Sequence, residues 1–245
     1  MHVYEKRGER YGICEYFSAY GDKVPAHQSA DRGRSSENFR IEDEYSRQTV
    51  CSLYCDSPDD ILARISLDKP VYKEKLRLRA YGTPTDSSPV FLEIKKKYDG
   101  VVYKRRVSTD FAQAMRFLTE GIPPESCDYV SRQVTAEIAH MIRRDGLIPR
   151  AAVFYDRRAF HGADDPELRL TLDGNIRYRL GDLDLRNGTD GDTIPGQPFR
   201  IMEIKSASSI PLWLAGTLSE RGIRPGSFSK YGSVYKQRFQ DLCTT

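Results

Sequence analysis

Lys75-Leu76-Arg77-Leu78-Arg79-Ala80-Tyr81-Gly82 alternates charge with apolarity. In an extended strand successive side chains point to opposite faces, so Lys75, Arg77 and Arg79 stand in a row on one side and Leu76, Leu78 and Ala80 on the other. A half-buried strand normally turns its polar face to water and mixes charge signs there, so a solvated edge is the simplest reading of this stretch alone. The alternative is a cationic wall that faces an anion. The neighbouring strands decide between the two.

Three further stretches repeat the design. Phe91-Leu92-Glu93-Ile94-Lys95-Lys96-Lys97 sets Leu92 and Ile94 against Glu93, Lys95 and Lys97. Leu168-Arg169-Leu170-Thr171-Leu172-Asp173 sets leucines against Arg169 and Thr171, and Ile201-Met202-Glu203-Ile204-Lys205 sets Met202 and Ile204 against Glu203 and Lys205. Like charges directly opposed across a ladder repel, so such faces are costly unless water or an anion compensates. If the sheet curves with these faces inward, the result is a barrel or tunnel lined with guanidinium and ammonium groups, suited to a polyanion. The glutamates then read either as ligands of Mg²⁺ or Mn²⁺ or as ion pairs to neighbouring Lys or Arg.

Composition agrees with a soluble globular protein. The 245 residues are ample for a core, 30% are charged, and the net charge of +3 does not by itself argue for nucleic acid. Cys14, Cys51, Cys55, Cys127 and Cys243 show no metal-ligand spacing and read as buried free thiols of a reducing compartment. His2, His27, His140 and His161 form no cluster. The sequence has no signal peptide and no apolar run of membrane-spanning length, so a cytoplasmic protein without a transmembrane segment of its own is expected. Tyr81, Phe91 and Tyr103 do not form a stacking platform for nucleic acid.

Along the chain, residues 1–46 are the least regular, with an ordered run at Tyr11 to Tyr20 and a loop or disordered segment from Ala26 to Asn38. Strands are expected at Thr49–Cys55, at the opening stretch, at Val90–Lys97 and at Val101–Val107, the last two joined by Tyr98-Asp99-Gly100. Ser57 is placed to cap a helix from Asp59 to Leu67, and amphipathic helices follow at Thr109–Glu120 and Asp128–Arg144. Strands then recur at Ala151–Phe160, Leu168–Asp173, Asn175–Leu180 and Phe199–Lys205, with a turn at Asp173-Gly174-Asn175. Helices are expected from Ser209 to Arg221 and from Ser227 to Phe239. This order points to an α+β fold dominated by antiparallel sheet.

These pieces resemble the VTC (vacuolar transporter chaperone) polyphosphate polymerase domain, a branch of the triphosphate tunnel metalloenzyme, or CYTH-like, superfamily. The resemblance is carried by Ser52-Leu53-Tyr54-Cys55-Asp56-Ser57-Pro58, by Pro70 to Gly82, by Phe91 to Lys97 with Val102-Tyr103-Lys104-Arg105-Arg106, and by Tyr155-Asp156-Arg157-Arg158-Ala159-Phe160. Leu168 to Asp173, Met202-Glu203-Ile204-Lys205 and Ser227-Phe228-Ser229-Lys230-Tyr231-Gly232 complete it. The matching domain is taken as residues 47–245, with residues 1–46 a poorly matched N-terminal segment.

The resemblance implies an antiparallel β-barrel, the triphosphate tunnel, with flanking helices, which transfers the ATP γ-phosphoryl group to a growing polyphosphate chain. By similarity Lys75, Arg77, Arg79, Lys95, Arg157, Arg169, Lys205 and Lys230 hold phosphates and serve catalysis. Glu203 holds the cofactor, Mn²⁺ or Mg²⁺, with Glu93 a second acidic wall residue. The implied partners are ATP and polyphosphate, without nucleic acid and with room for a membrane-protein partner that takes up the polymer. Family members open on a strand of the type Glu-x-Lys-Tyr, which Tyr4-Glu5-Lys6-Arg7 echoes only roughly, so that strand is either diverged or missing. Alternatives are a non-catalytic polyphosphate-binding module and a tunnel triphosphatase.

Overall fold

The computed structural model describes residues 2–5, 39–41, 47–68, 70–125, 128–194, 200–207, 209–226 and 228–243; for 2–5, 39–41, 47 and 240–243 it describes the backbone alone. The expected order at Tyr11 to Tyr20 and the loop at Ala26 to Asn38 lie outside these residues, as do Lys6, Cys14 and Cys127. The strands are β1 (His2–Glu5), β2 (Phe39–Ile41), β3 (Arg47–Asp56), β4 (Tyr72–Tyr81), β5 (Pro89–Tyr98), β6 (Val101–Asp110), β7 (Ile148–Gly162), β8 (Arg169–Arg179), β9 (Asp192–Thr193), β10 (Ile201–Lys205) and β11 (Arg224–Gly226). The helices are α1 (Ile61–Leu67), α2 (Phe111–Glu120), α3 (Tyr129–Asp145), α4 (Leu212–Glu220) and α5 (Lys230–Cys243). None of them is long and apolar enough to cross a membrane.

The fold is α+β with an antiparallel sheet and flanking helices, as expected. Strand order is β11-β1-β10-β8-β7-β3-β4-β5-β6, with β2 on β7 and β9 on β8. Among the described residues this order leaves β6 and β11 as ends, so the expected barrel is an open antiparallel sheet. The chain divides into two compact units and crosses between them within β3, β7 and β8.

The larger unit comprises Thr49–Tyr155, Ile176–Pro195 and Ser229–Thr245. Here β4 lies between β3 and β5, which removes the solvated-edge reading of the opening stretch. Register places Leu53, Leu78, Leu92 and Val107 in one row across β3 to β6, and Cys55, Leu76 and Ile94 in the next. These side chains are buried with Phe111, Ala114, Phe117 and Leu118 of α2 and Val134, Ile138 and Met141 of α3. Asp110 and Asp128 cap the two helices through their carboxylates, and Gly121 and Gly146 end them at φ 74° and 61°. Helix α2 therefore starts later than Thr109, because Asp110 is needed as its cap. At the β5–β6 hairpin, Asp99 and Gly100 both take positive φ, as a two-residue turn between twisted strands requires.

Helix α1 begins at Ile61 rather than Asp59, because Asp60 adopts φ 55°. Ser57 Oγ accepts from the Ile61 amide at 3.0 Å, as its capping position suggested. The first-turn amides of Leu62 and Ala63 go instead to the Asp56 carboxylate, at 2.8 and 2.9 Å. Cys51 and Cys55 are buried free thiols, and burial pushes the Cys55 thiol up to about 12.

The smaller unit comprises Met1–Gln48, Asp156–Asn175 and Gly196–Phe228. Leu168, Leu170, Leu172, Met202 and Ile204 are buried together with Leu214 and Leu218 of α4, which confirms the apolar faces read for these strands. A strand does form at the N-terminus: β1 pairs antiparallel with β10, Glu5 opposite Ile201, and also with β11. The expected turn at Asp173-Gly174-Asn175 does not form, and β8 runs unbroken from Arg169 to Arg179. Asn175 absorbs the irregularity alone at φ 51°, donating from Nδ2 to Asp156 Oδ2, while the Asp173 carboxylate is taken by Arg157 instead of a turn amide.

Candidate anion site

In the larger unit, strand register builds the basic face row by row. Tyr54, Arg77, Glu93 and Arg106 stand opposite one another across β3, β4, β5 and β6. One step towards the hairpin lie Lys75, Lys95 and Lys104, and one step the other way lie Ser52, Arg79 and Phe91. Arg77 donates from Nε to Glu93 Oε2 at 2.7 Å and from Nη1 to Tyr54 Oη at 3.3 Å. Arg79 Nε lies 3.7 Å from the same Glu93 oxygen, too far for a hydrogen bond. Of the two readings for Glu93, the ion pair is the one seen.

The start of α5 adds to this face. Lys75 Nζ donates to Ser229 Oγ at 2.9 Å, and Lys230 Nζ sits 4.3 Å from the centre of the Tyr155 ring. Tyr231 stacks on Tyr54 at 4.8 Å between ring centres, with planes 4° apart, and donates its hydroxyl proton to Asp56 Oδ2 at 2.9 Å. Asp56 thus ties the first turn of α1 to α5, which fixes Ser229 and Lys230 beside β3. Arg238 and Arg150 both reach Asp60 and hold the far side of α5.

Charge on this face is only partly balanced. Burial, followed by repulsion from Lys104, Lys75 and Arg77, lowers the Lys95 ammonium to about 8, and burial also lowers Lys75. Among the described residues Lys95 makes no hydrogen bond or ion pair. Burial raises the Tyr54 phenol, but Arg77, Lys75 and Lys230 outweigh it and bring it down to about 8. Burial likewise opposes the Glu93 charge, yet Arg77, Arg79 and Arg106 hold its carboxyl below the ordinary range. Two buried polar atoms on directly opposed residues, Ser52 Oγ and Arg79 Nε, have no hydrogen-bond partner among the described residues. Both are groups that pair with phosphate oxygens.

The smaller unit carries the remaining predicted residues. Arg157 meets Asp173 through two parallel bonds, Nε to Oδ1 at 2.7 Å and Nη2 to Oδ2 at 2.8 Å. Arg169 and Lys205 face each other in register, and Lys205 Nζ lies 3.4 Å from Glu203 Oε1. Glu203 stands directly opposite Thr171, whose Oγ1 is buried without a hydrogen-bond partner among the described residues. A carboxylate beside a hydroxyl is an oxygen set that a hard divalent cation accepts, provided phosphate oxygens complete the shell. Among the described residues no three His, Cys, Asp or Glu side chains converge as a metal centre.

A model of the VTC domain matches residues 13–239. The chain belongs to the VTC domain family. No curated protein matches it. Among solved structures, a candidate adenylate cyclase from Bacillus halodurans superposes with a TM-score of 0.52 at 10% identity, covering 93% of this VTC domain chain and 92% of that one. That likeness shows the fold, an antiparallel sheet with flanking helices. A candidate adenylyl cyclase from Hippeastrum, described as having a dominant triphosphatase activity, gives 0.48 at 15% identity over 97% and 96%. The PH1819 protein of Pyrococcus horikoshii OT3 gives 0.43 at 12% identity over 97% and 98%.

Within this VTC domain the sequence reading missed Ser52, Tyr54, Lys104, Arg106 and Ser229. Ser52 and Tyr54 were legible in principle, since they alternate with Cys51, Leu53 and Cys55 and so share a face once β3 is paired with β4. Lys104 and Arg106 follow from the two-residue turn, which fixes their register on Lys95 and Glu93. Ser229 depends on how α5 docks, and no local pattern contains that.

Proposed function

We propose that this VTC domain synthesises inorganic polyphosphate. The terminal oxygen of an acceptor phosphate chain attacks the γ-phosphorus of ATP, the bond from that phosphorus to the bridging oxygen breaks, and ADP leaves. Such a transfer asks little covalent chemistry of the protein; it depends on in-line positioning and on neutralising charge at the transferring group. Lys75, Arg77, Arg79, Lys95 and Lys230 hold phosphate oxygens in the larger unit, Arg77 as a guanidinium fixed in orientation by Glu93 and Tyr54. In the smaller unit Arg157, Arg169 and Lys205 bind phosphate. Mn²⁺ or Mg²⁺, when bound with the substrate, would be held by Glu203 and Thr171 and would neutralise phosphate charge there.

The observation that carries this reading is the row Lys75, Lys95 and Lys104 beside Arg77 and Arg79, with Glu93 as the paired carboxylate. A phosphate chain supplies the missing negative charge and matches the repeat of cations along the strands. Incubation of the purified chain with ATP and Mn²⁺, with products resolved on a gel, tests it. Ladders of long-chain polyphosphate support synthesis. Release of phosphate alone identifies a triphosphatase, and retention of added polyphosphate without turnover identifies a binding module.

A further inference from the structure

The tip of the β5–β6 hairpin carries a patch that phosphate binding does not use. Val71, Tyr72, Tyr98, Val101, Val102 and Tyr103 are all exposed, with Val71, Tyr98 and Tyr103 at 64%, 58% and 57%. Isolated exposed apolar residues need no explanation, but a contiguous group of this kind marks an interaction surface. Register makes the aromatic part contiguous: Tyr72 stands opposite Tyr98 and Tyr98 opposite Val101, with Tyr103 on the same side one step in, opposite Lys96. Val71 joins them through the Asp99 amide, which donates to its carbonyl at 2.9 Å.

By strand alternation Tyr72, Tyr98, Val101 and Tyr103 lie on the side of the sheet that carries the core residues Leu76 and Ile94 further in. Helix α3 reaches this side as far as Glu74, which Arg144 and Lys96 hold, and the row Tyr72–Tyr98–Val101 lies one step beyond. The opposite side of the same tip is cationic, with Lys73, Lys97 and Val102 in one row and Lys75, Lys95 and Lys104 in the next. Glu74 and Glu137 neutralise Lys96 and Arg105, while Lys97 has no carboxylate partner among the described residues. Within residues 95–106 the only acid is Asp99.

We propose that this hairpin tip docks the protein on an anionic lipid surface, Tyr98, Val101 and Tyr103 entering the headgroup region while Lys97 meets the headgroup charges. Tyrosine rings suit that boundary because one end is apolar and the other hydrogen-bonds water, and flanking lysines supply the attraction to anionic lipid. A soluble polyanion would make no use of the apolar residues. A second copy docked tip to tip would bring the two lysine sets together and be repelled. The inference goes beyond polyphosphate synthesis and does not depend on it.

The test is flotation of the full chain with vesicles of phosphatidylcholine alone or of phosphatidylcholine mixed with phosphatidylglycerol. Binding is expected on the anionic vesicles only, with release by high salt. The double variant Tyr98→Ser, Val101→Ser should lose about tenfold or more in vesicle affinity while keeping its far-UV circular dichroism and melting temperature. Lys97→Glu should weaken binding about fivefold or more. Absence of binding to anionic vesicles, equal binding to neutral ones, undiminished binding by the double variant, or tip-dependent dimerisation without lipid would each overturn the proposal.

Discussion

Arg77 donates to Glu93 from Nε at 2.7 Å and to Tyr54 from Nη1, so its guanidinium is held from two sides before any phosphate arrives. An arginine fixed in this way loses little freedom when it grips a phosphate, which is the condition for stabilising charge that develops in a transition state. Arg77→Ala is therefore expected to lower kcat by about a hundredfold or more. Melting temperature should change little by comparison, because Arg77 lies on the polar side of β4. Tyr54→Phe keeps the stack on Tyr231 and removes only one bond to a charged group, so a loss nearer tenfold is expected. Parallel kinetics and thermal melts on the two variants check both statements.

Acidity of Lys95 and Tyr54 makes anion binding pH-dependent. Lys95 is lowered to about 8, so it is charged below that pH and neutral above it, and Tyr54 at about 8 gains negative charge over the same range. Both changes oppose a bound anion, so tripolyphosphate affinity should fall as pH rises through about 8, with proton uptake on binding in that range. Lys95→Arg should keep the affinity further into the alkaline range. The stability sign is opposite: above about 8 the unfolded chain holds a proton on Lys95 that the folded chain lacks, so this group's contribution rises with pH up to the ordinary lysine range. Isothermal titration in buffers of different ionisation enthalpy reads the binding protons directly.

Asp56 is fully buried and accepts from the Ser57, Leu62 and Ala63 amides and the Tyr231 hydroxyl. Asp56→Ala leaves those donors buried and unpaired, at a cost of about 3 kcal/mol or more. Tyr231→Phe, which removes one bond and keeps the ring stack, should cost about 1 kcal/mol. Denaturant melts compare the two. Because Ser229 and Lys230 lie at the start of α5, Tyr231→Phe should also raise KM for ATP more than it lowers kcat.

In the smaller unit, Glu203 with Thr171 is the oxygen set proposed for the divalent cation. Glu203→Gln is expected to raise the Mn²⁺ concentration needed for half-maximal turnover about tenfold or more, while Thr171→Val has a smaller effect of the same sign. Titration of activity against Mn²⁺ at fixed ATP separates this from a loss of folding, which no excess of metal would rescue.

The strands and both helices that cover β4 to β6 were legible because alternation and helical spacing are local. Leu76, Leu78, Leu92 and Ile94 fell on the buried face, as their spacing requires. What local pattern could not show is partnership. Glu93 proved to be an arginine anchor, Arg157 a partner of Asp173, and Asp173-Gly174-Asn175 a continuation of β8. Each depends on a residue brought close by pairing of distant segments. The helix start at Ile61 was missed because no local pattern marks Asp60 for φ 55°, the conformation that keeps Asp59 and Asp60 out of α1.

Transfer of label from γ-phosphoryl-labelled ATP tests polyphosphate synthesis most directly. With Mn²⁺ and a short polyphosphate primer, the wild-type chain is expected to move label into chains that lengthen with time, and Arg77→Ala to leave it in ATP. Label recovered only as free phosphate, or the same chain growth in Arg77→Ala as in wild type, would contradict the proposed site and reaction.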